Sequence, residues 1–399
     1  MSARAPLVAC VAVLGFFAGL TGVRLAWTLA YVLVLLLVVA WAWSWAVARR
    51  LHVERRSPDG THMVGEPFVE RFTVRNGSGL PVPWCEVRDG TRIEGYVPGR
   101  AFSLAGNGSV TWSARGAFGR RGRWTFGPLE ARLGDPFGLF PRRVLLAPLR
   151  TVLVYPRIVA LGDAVPVVAG TSGRGDGQAG RVVDLPPDVS TVREYATTDG
   201  LSRIHWASTA KTGRLMSRVF DTPQSSDVLV LLDLEQGHAA GAAPESTLEY
   251  ATSIAASISH AALRRGQAVA LVCNDAARTA VGAGRGEAHR LRLLEHLADC
   301  SDDGTTPLAE LIERHGGAWR GRGGIVVITS NRDEDWVSAL LDVGTRGRRH
   351  LAVVVEPSSF GAPGTPLRIP AAWRLALDVW LVRRGDDLAQ PRGRRAATR

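Results

Sequence analysis

Val228-Leu229-Val230-Leu231-Leu232-Asp233 is the stretch on which the fold of the second half of the chain turns. Five apolar residues in succession leave no polar face, so a strand here must be covered on both sides, as in a parallel sheet between helices. The sequence that follows has the matching rhythm. Ser246–Arg265 places Leu248, Ile254, Ile258, Ala262 and Leu263 at helical spacing, and Gln267–Cys273 is a second apolar strand. Gly286–Asp299 and Pro307–His315 are helix candidates, and Gly324–Ser330 and Leu351–Glu356 are strand candidates. Acid-rich Asp333–Asp335 suits a helix start, where carboxylates meet the positive end of the dipole. Ala371–Arg383 is expected to close the domain as a helix. Short strands alternating with helices predict a doubly wound α/β domain with a mostly parallel sheet.

Upstream, from Val64 to about Val154, the pattern changes to short strands and turns. Pro67–Arg75 alternates, Asn76-Gly77-Ser78-Gly79 is a turn signal, and Trp84–Val87, Ser109–Trp112 and Arg123–Phe126 are further strands. A small all-β domain of sandwich or barrel type is the expected closure, with Arg121 and Arg123 as solvated edge charges. The N-terminus reads differently again. Leu7–Leu20 is almost uninterrupted apolar sequence, and Leu25–Val47 holds 23 residues without a charge. Trp41, Trp43 and Trp45 lie towards its end, and Arg49, Arg50, Arg55 and Arg56 follow. We expect two transmembrane helices joined near Thr21–Arg24, a multi-pass cell-membrane location, and the bulk of the chain in the cytoplasm by the positive-inside rule.

The expected organisation is therefore a transmembrane hairpin over 1–50, a β-rich domain over 51–160, and a linker over 161–190. The α/β domain occupies 191–383 and a basic tail 384–399. The 48 basic and 37 acidic residues among 399 give a formal charge of +11, but Lys211 is the single lysine. Arginine used so one-sidedly points to codon bias rather than to a nucleic-acid surface, and no nucleic-acid partner is expected. No GxxxxGK[ST] motif is present, so nucleotide chemistry would belong to a partner.

Three motifs carry a resemblance. Asp135-Pro136-Phe137-Gly138-Leu139-Phe140 follows Arg121-Gly122-Arg123-Trp124, and Tyr155-Pro156 comes next. Further on stand Arg193-Glu194-Tyr195, Asp199, Arg203-Ile204-His205-Trp206, Ser208 and Ala210-Lys211. Together they resemble the bacterial DUF58 family over nearly the whole chain, with Thr198 where the family usually has glycine. The resemblance implies a C-terminal domain similar to the von Willebrand factor type A (vWA) domain. It also implies a MoxR-type AAA ATPase partner, often with a transglutaminase-like membrane protein, and chaperone-like or assembly functions.

The same resemblance implies a divalent-metal loop after the first strand of the α/β domain. Asp233 occupies its first position, but Glu235 and Gly237 stand where two serines would be, so the metal site is degenerate and no cofactor is expected. Arg193, Asp199, Arg203 and His205 can form either an ion-paired network with Trp206 packed beside it or a docking surface for an acidic partner; Tyr195 and Lys211 belong to the same signature. No nucleophile is visibly paired with His205, so no catalytic residue is assigned. The expected function is a membrane-anchored scaffold or adaptor. The alternatives are a metal-dependent hydrolase working through Asp233 and Glu235, and a purely structural envelope component.

Overall fold

A computed structural model describes residues 4–57, 61–161, 191–194, 204, 206–219, 227–319, 323–343 and 350–389. The chain divides into two compact units, residues 1–157 and 158–399.

The first unit opens with helices α1 (Arg4–Thr21) and α2 (Arg24–Arg49). With 26 residues, α2 rises about 39 Å at ~1.5 Å per residue, more than the ~30 Å of a hydrocarbon core. Its buried residues are small or lie near its end: Ala26, Ala30, Ala40, Ser44 and Val47. Most of its apolar surface is exposed. It is the one helix among the described residues long and apolar enough to cross a membrane. The expectation of two spanning helices is met only in part, because the 18 residues of α1 extend about 27 Å, at the short end of what crosses a bilayer's hydrocarbon.

Behind α2 come strands β1 (Leu51–Arg56), β2 (His62–Met63), β3 (Pro67–Asn76), β4 (Val82–Asp89) and β5 (Arg100–Leu104). Then follow β6 (Ser109–Ala117), β7 (Gly122–Phe126), β8 (Leu129–Leu133), β9 (Arg142–Ala147) and β10 (Arg150–Tyr155). They form sheets ordered β1-β3-β6, β2-β10-β7 and β5-β4-β8-β9, consistent with an all-β unit. Strand β3 shows the logic: Phe68, Glu70, Phe72, Val74 and Asn76 point inward, and the residues between them are exposed or half-buried. Phe68 stacks on Phe118 at 4.7 Å and Phe72 on Trp112 at 5.3 Å, aromatic contacts at the centre of the core. The inward carboxylate Glu70 is met by Arg55 of β1 in a two-pronged contact at 2.8 and 3.2 Å, and Arg55 also reaches Asp89 at 3.2 Å. Tyr96 and Ser57 donate to Glu70 as well. Arg121, expected to be solvated, is buried.

In the second unit β11 (Thr191–Glu194) pairs with β12 (Met216–Val219), with the seven-residue helix α3 (Trp206–Thr212) between them. The main sheet uses β13 (Asp227–Leu232), after which Gly241–Ala242 (β14) and Glu245–Ser246 (β15) form a small hairpin. Then come α4 (Thr247–Arg264), β16 (Val269–Cys273), β17 (Ala280–Gly284), α5 (Glu287–Asp299), α6 (Leu308–Ala318), β18 (Gly323–Thr329), α7 (Asp335–Val343), β19 (Leu351–Val355), α8 (Ala371–Ala376) and β20 (Asp378–Val382). The sheet order is β17-β16-β13-β18-β19-β20, parallel throughout except for β17. Every residue of β13 is buried, as its unbroken apolar run requires. Helix α4 packs on one face, and α6, α7 and α8 contribute to the apolar core of the other. These elements are consistent with an α/β unit.

Two details correct the sequence reading. Ala371–Arg383 is not one helix: α8 ends at Ala376, and Asp378–Val382 is an edge strand on β19. The short apolar run Val379-Trp380-Leu381-Val382, with two β-branched valines and an aromatic, suits a strand better than a helix. Strand β17, built from Ala and Gly around Val281, carries too little apolar pattern to be recognised from sequence.

Candidate functional site

In chain order the six strands of the main sheet run 3-2-1-4-5-6, so the order reverses between β13 and β18. Crossovers leave in opposite directions at such a point and open a crevice at the carboxyl ends of the strands. The residue that β13 delivers there is Asp233, 8% exposed, whose backbone N–H bonds to Ile328 O across the junction. Its carboxylate accepts from Thr329 Oγ1 at 2.6 Å, from Asn274 Nδ2 at 2.9 Å and from the Glu235 backbone N–H at 3.1 Å. Those donors come from the ends of β18 and β16 and from the Asp233 loop itself. One buried carboxylate thus fastens three strand ends.

The fastening extends outward. Asn274 accepts from the Leu234 N–H and donates to Thr306 O at 2.8 Å. Thr329 Oγ1 accepts from Asn331 N–H at 2.8 Å, and Asn331 Oδ1 from Asp333 N–H at 2.8 Å. Gly304 bonds Leu234 O at 3.0 Å and Gln236 N at 2.9 Å. A Cβ on Gly304 would stand 1.9 Å from Asn274 O, so only glycine permits this approach.

The Glu235 carboxylate lies outside this network, half-buried, with His238 Nε2 3.8 Å away. Burial and then the neighbouring Asp233 charge hold its carboxyl above the ordinary range, opposed by His238 and by the Leu308 N–H at the start of α6. A hard cation wants several free oxygen ligands. Here Asp233 already accepts three hydrogen bonds, Gly237 offers no side chain, and no group of three His, Cys, Asp or Glu among the described residues stands close enough to hold a metal. The donor set does not fit the metal loop that the resemblance implied.

The signature residues are only partly placed. Tyr195, Asp199, Arg203 and His205 lie outside the described residues. Arg193 is on β11, opposite Ser217. Trp206 opens α3 with 68% of its surface exposed rather than packed, and Lys211 is exposed on the last turn. In the first unit, Asp135 is buried and caps its own loop, accepting from the N–H groups of Phe137, Leu139 and Phe140. Pro136 and Gly138 complete the turn, Gly138 at φ +68, a backbone conformation that favours glycine. Leu139 is turned inward and Phe137 outward, 60% exposed. Sequence reasoning missed Asn274, Gly304 and Thr306. Asn274 had a signal, since it directly follows an apolar strand and so had to sit at the carboxyl edge of the sheet.

A family model described as a protein of unknown function, DUF58, matches residues 191–359, from β11 through β19. That stretch is a DUF58 segment. It contains the whole Asp233 network. The uncharacterized protein YeaD of Bacillus subtilis is 25% identical over 240 residues, 59% of this chain, and the chain spans 57% of that relative's length. Among solved structures, the CARDB domain of PF1109 from Pyrococcus furiosus matches 26% of this chain and 86% of its own, at 18% identity and a TM-score of 0.19. Red sea bream transglutaminase matches 27% of this chain and 15% of its own, at 16% identity and a TM-score of 0.19. Likenesses this slight carry no argument about the DUF58 segment or the β unit.

Proposed function

We propose that the chain is a membrane-anchored scaffold whose α/β unit is a vWA-like docking module, and that its partner is a MoxR-type AAA ATPase acting in complex assembly or envelope processes. One observation carries this reading: the carboxylate at the switch point is spent on fastening loops, so the crevice offers a fixed surface for recognition rather than a free ligand for a metal. The strand order, with its antiparallel third strand, supports the vWA-like assignment. The exposed apolar length of α2 supports anchoring, with α1 completing a two-helix hairpin and the rest of the chain in the cytoplasm. A transglutaminase-like membrane protein is a further partner implied by the family resemblance.

Affinity capture from native membranes after mild crosslinking tests the proposal, with wild type compared against Arg203→Ala and Asp233→Ala. Wild type should retain the AAA ATPase, identified by mass spectrometry, and at least one variant should lose it while staying in the membrane fraction. Absence of the ATPase from the wild-type capture would reject the partnership.

A metal-dependent hydrolase is the second reading, favoured by the raised Glu235 carboxyl beside Asp233. Stoichiometric Mg²⁺ or Mn²⁺ binding by calorimetry, abolished in Asp233→Ala, would decide for it.

A further inference from the structure

We propose that the α2-proximal end of the β unit is a second membrane-contact site, in which Phe137 and Trp84 enter the headgroup region of an anionic bilayer. The inference rests on the reading that α2 crosses that bilayer.

The argument starts with the polar groups of the last turns of α2. Trp43 Nε1 donates to Pro81 O at 3.0 Å, and Ser44 Oγ donates to Phe140 O at 2.6 Å. Both side chains are therefore spent on carbonyls of loops in the β unit. Ser44 stands five residues before Arg49, which places it about 7.5 Å deeper along the helix at ~1.5 Å per residue. The polar zone on each side of a hydrocarbon core is only about 5–8 Å thick. With Arg49 among the headgroups, the carbonyls of Pro81 and Phe140 lie at the lower edge of that zone, where carbonyls without donors are costly. The helix supplies the donors.

Strand register shows what else sits there. Cys85 pairs with Leu133, Leu133 with Arg142, and Val82 with Leu104, so residues 81–84, 104–109 and 133–142 share one end of the four-stranded sheet. Leu129 pairs with Asp89 and with Ala147, which puts the β9–β10 turn and Leu149 at the opposite end. A lone exposed ring would need no explanation. Here two exposed aromatics, Phe137 and Trp84 (46%), stand at the end that α2 holds, and Phe137 is presented by a loop locked by the Asp135 carboxylate.

Charge points the same way. Residues 75–84, 104–109 and 133–143 contain one carboxylate, the buried Asp135, against Arg75, Arg142 and Arg143, with Arg49 and Arg50 at the end of α2. Aromatics at headgroup depth beside arginines and without exposed acids match an anionic membrane surface.

The test uses the full chain in phosphatidylcholine–phosphatidylglycerol vesicles with brominated acyl chains. In a Cys10→Ala background only an introduced cysteine reacts, because Cys85, Cys273 and Cys300 are buried and burial pushes the Cys85 thiol up to about 12. An environment-sensitive fluorophore is placed in turn at Phe137→Cys, Trp84→Cys, Leu149→Cys and Trp41→Cys. The expected result is blue-shifted emission with strong bromine quenching at 137, 84 and 41, and water-like, unquenched emission at 149. Quenching at 41 with water-like emission at both 137 and 84 would overturn the inference and leave the α2 reading intact. No quenching at 41 would remove the α2 reading and the inference with it.

Discussion

Replacing Asp233 with alanine removes the acceptor of three hydrogen bonds, from Thr329, Asn274 and the Glu235 N–H. Hydrogen bonds to a charged group contribute about 1.5–3 kcal/mol each, but the sum overstates the loss. Asn274 Nδ2 keeps its bond to Thr306 O, and the Thr329 hydroxyl can rotate towards another acceptor. The Glu235 N–H has no such substitute, and three strand ends lose their common tie. We expect a net loss of about 3 kcal/mol. For a unit of 158–399, 1 kcal/mol moves Tm by about 2–4 °C, so the shift should be about 6–12 °C downward. Scanning calorimetry of the detergent-solubilised protein reads it. Millimolar Mg²⁺ should leave the wild-type transition where it is, since a ligand stabilises only the state that binds it. A Tm shift under about 2 °C in the variant would refute the fastening role. So would a rise of several degrees with Mg²⁺ in wild type that Asp233→Ala abolishes.

Burial presses the Glu70 carboxyl upward, yet hydrogen bonds from Arg55, Ser57 and Tyr96 outweigh it and hold the group below its ordinary range. A depressed carboxyl contributes stability that is present above its unfolded value, about 4.3, and is lost as pH falls through the lower folded value. Wild-type Tm should therefore drop in the acid range, and Glu70→Gln should flatten that drop while costing about 1.5–3 kcal/mol at neutral pH, since Arg55 loses its two-pronged partner but keeps Asp89. Gly304→Ala drives a methyl into Asn274 O and should lower urea stability by about 1–3 kcal/mol; an unchanged midpoint would show that the loop can give way. Asp135→Ala should speed hydrogen exchange at the amides of Phe137, Leu139 and Phe140 by tenfold or more, about 1.4 kcal/mol of lost protection, and unaltered rates would mean that the loop does not depend on its cap.

Strong periodicity made some of this legible in advance. The buried run Val228–Leu232 implied a sheet covered on both faces, and it put Asp233 at the edge where crevices form. The alternation of β3 puts Glu70 on the same face as Phe68 and Phe72, a signal of an inward carboxylate that went unread. Its partner Arg55 could not be identified, since charge alone does not separate it from the neighbouring Arg56, which is exposed and paired with Glu54. Arg121 was misread for the same reason. Asn274 was within reach as the residue that directly follows an apolar strand, but Gly304 and Thr306 were not, because their role depends on three loops meeting, which no local pattern encodes. Strand β20 lost to helix in the reading because Ala371–Ala376 does start one, and the strand that follows is only five residues long.

The direction of β20 has a practical consequence. It runs parallel with β19, so the polypeptide leaves the sheet two strands from β18, roughly 10 Å away at ~4.8 Å per strand. The exit is pinned, with Arg384 N–H on Ser359 Oγ at 3.0 Å and Gly385 N–H on the Tyr250 hydroxyl at 3.1 Å. A tag inserted directly after Gly385 would start on the rim of the switch-point crevice and compete with whatever binds there. Handles for capture experiments therefore belong ahead of α1.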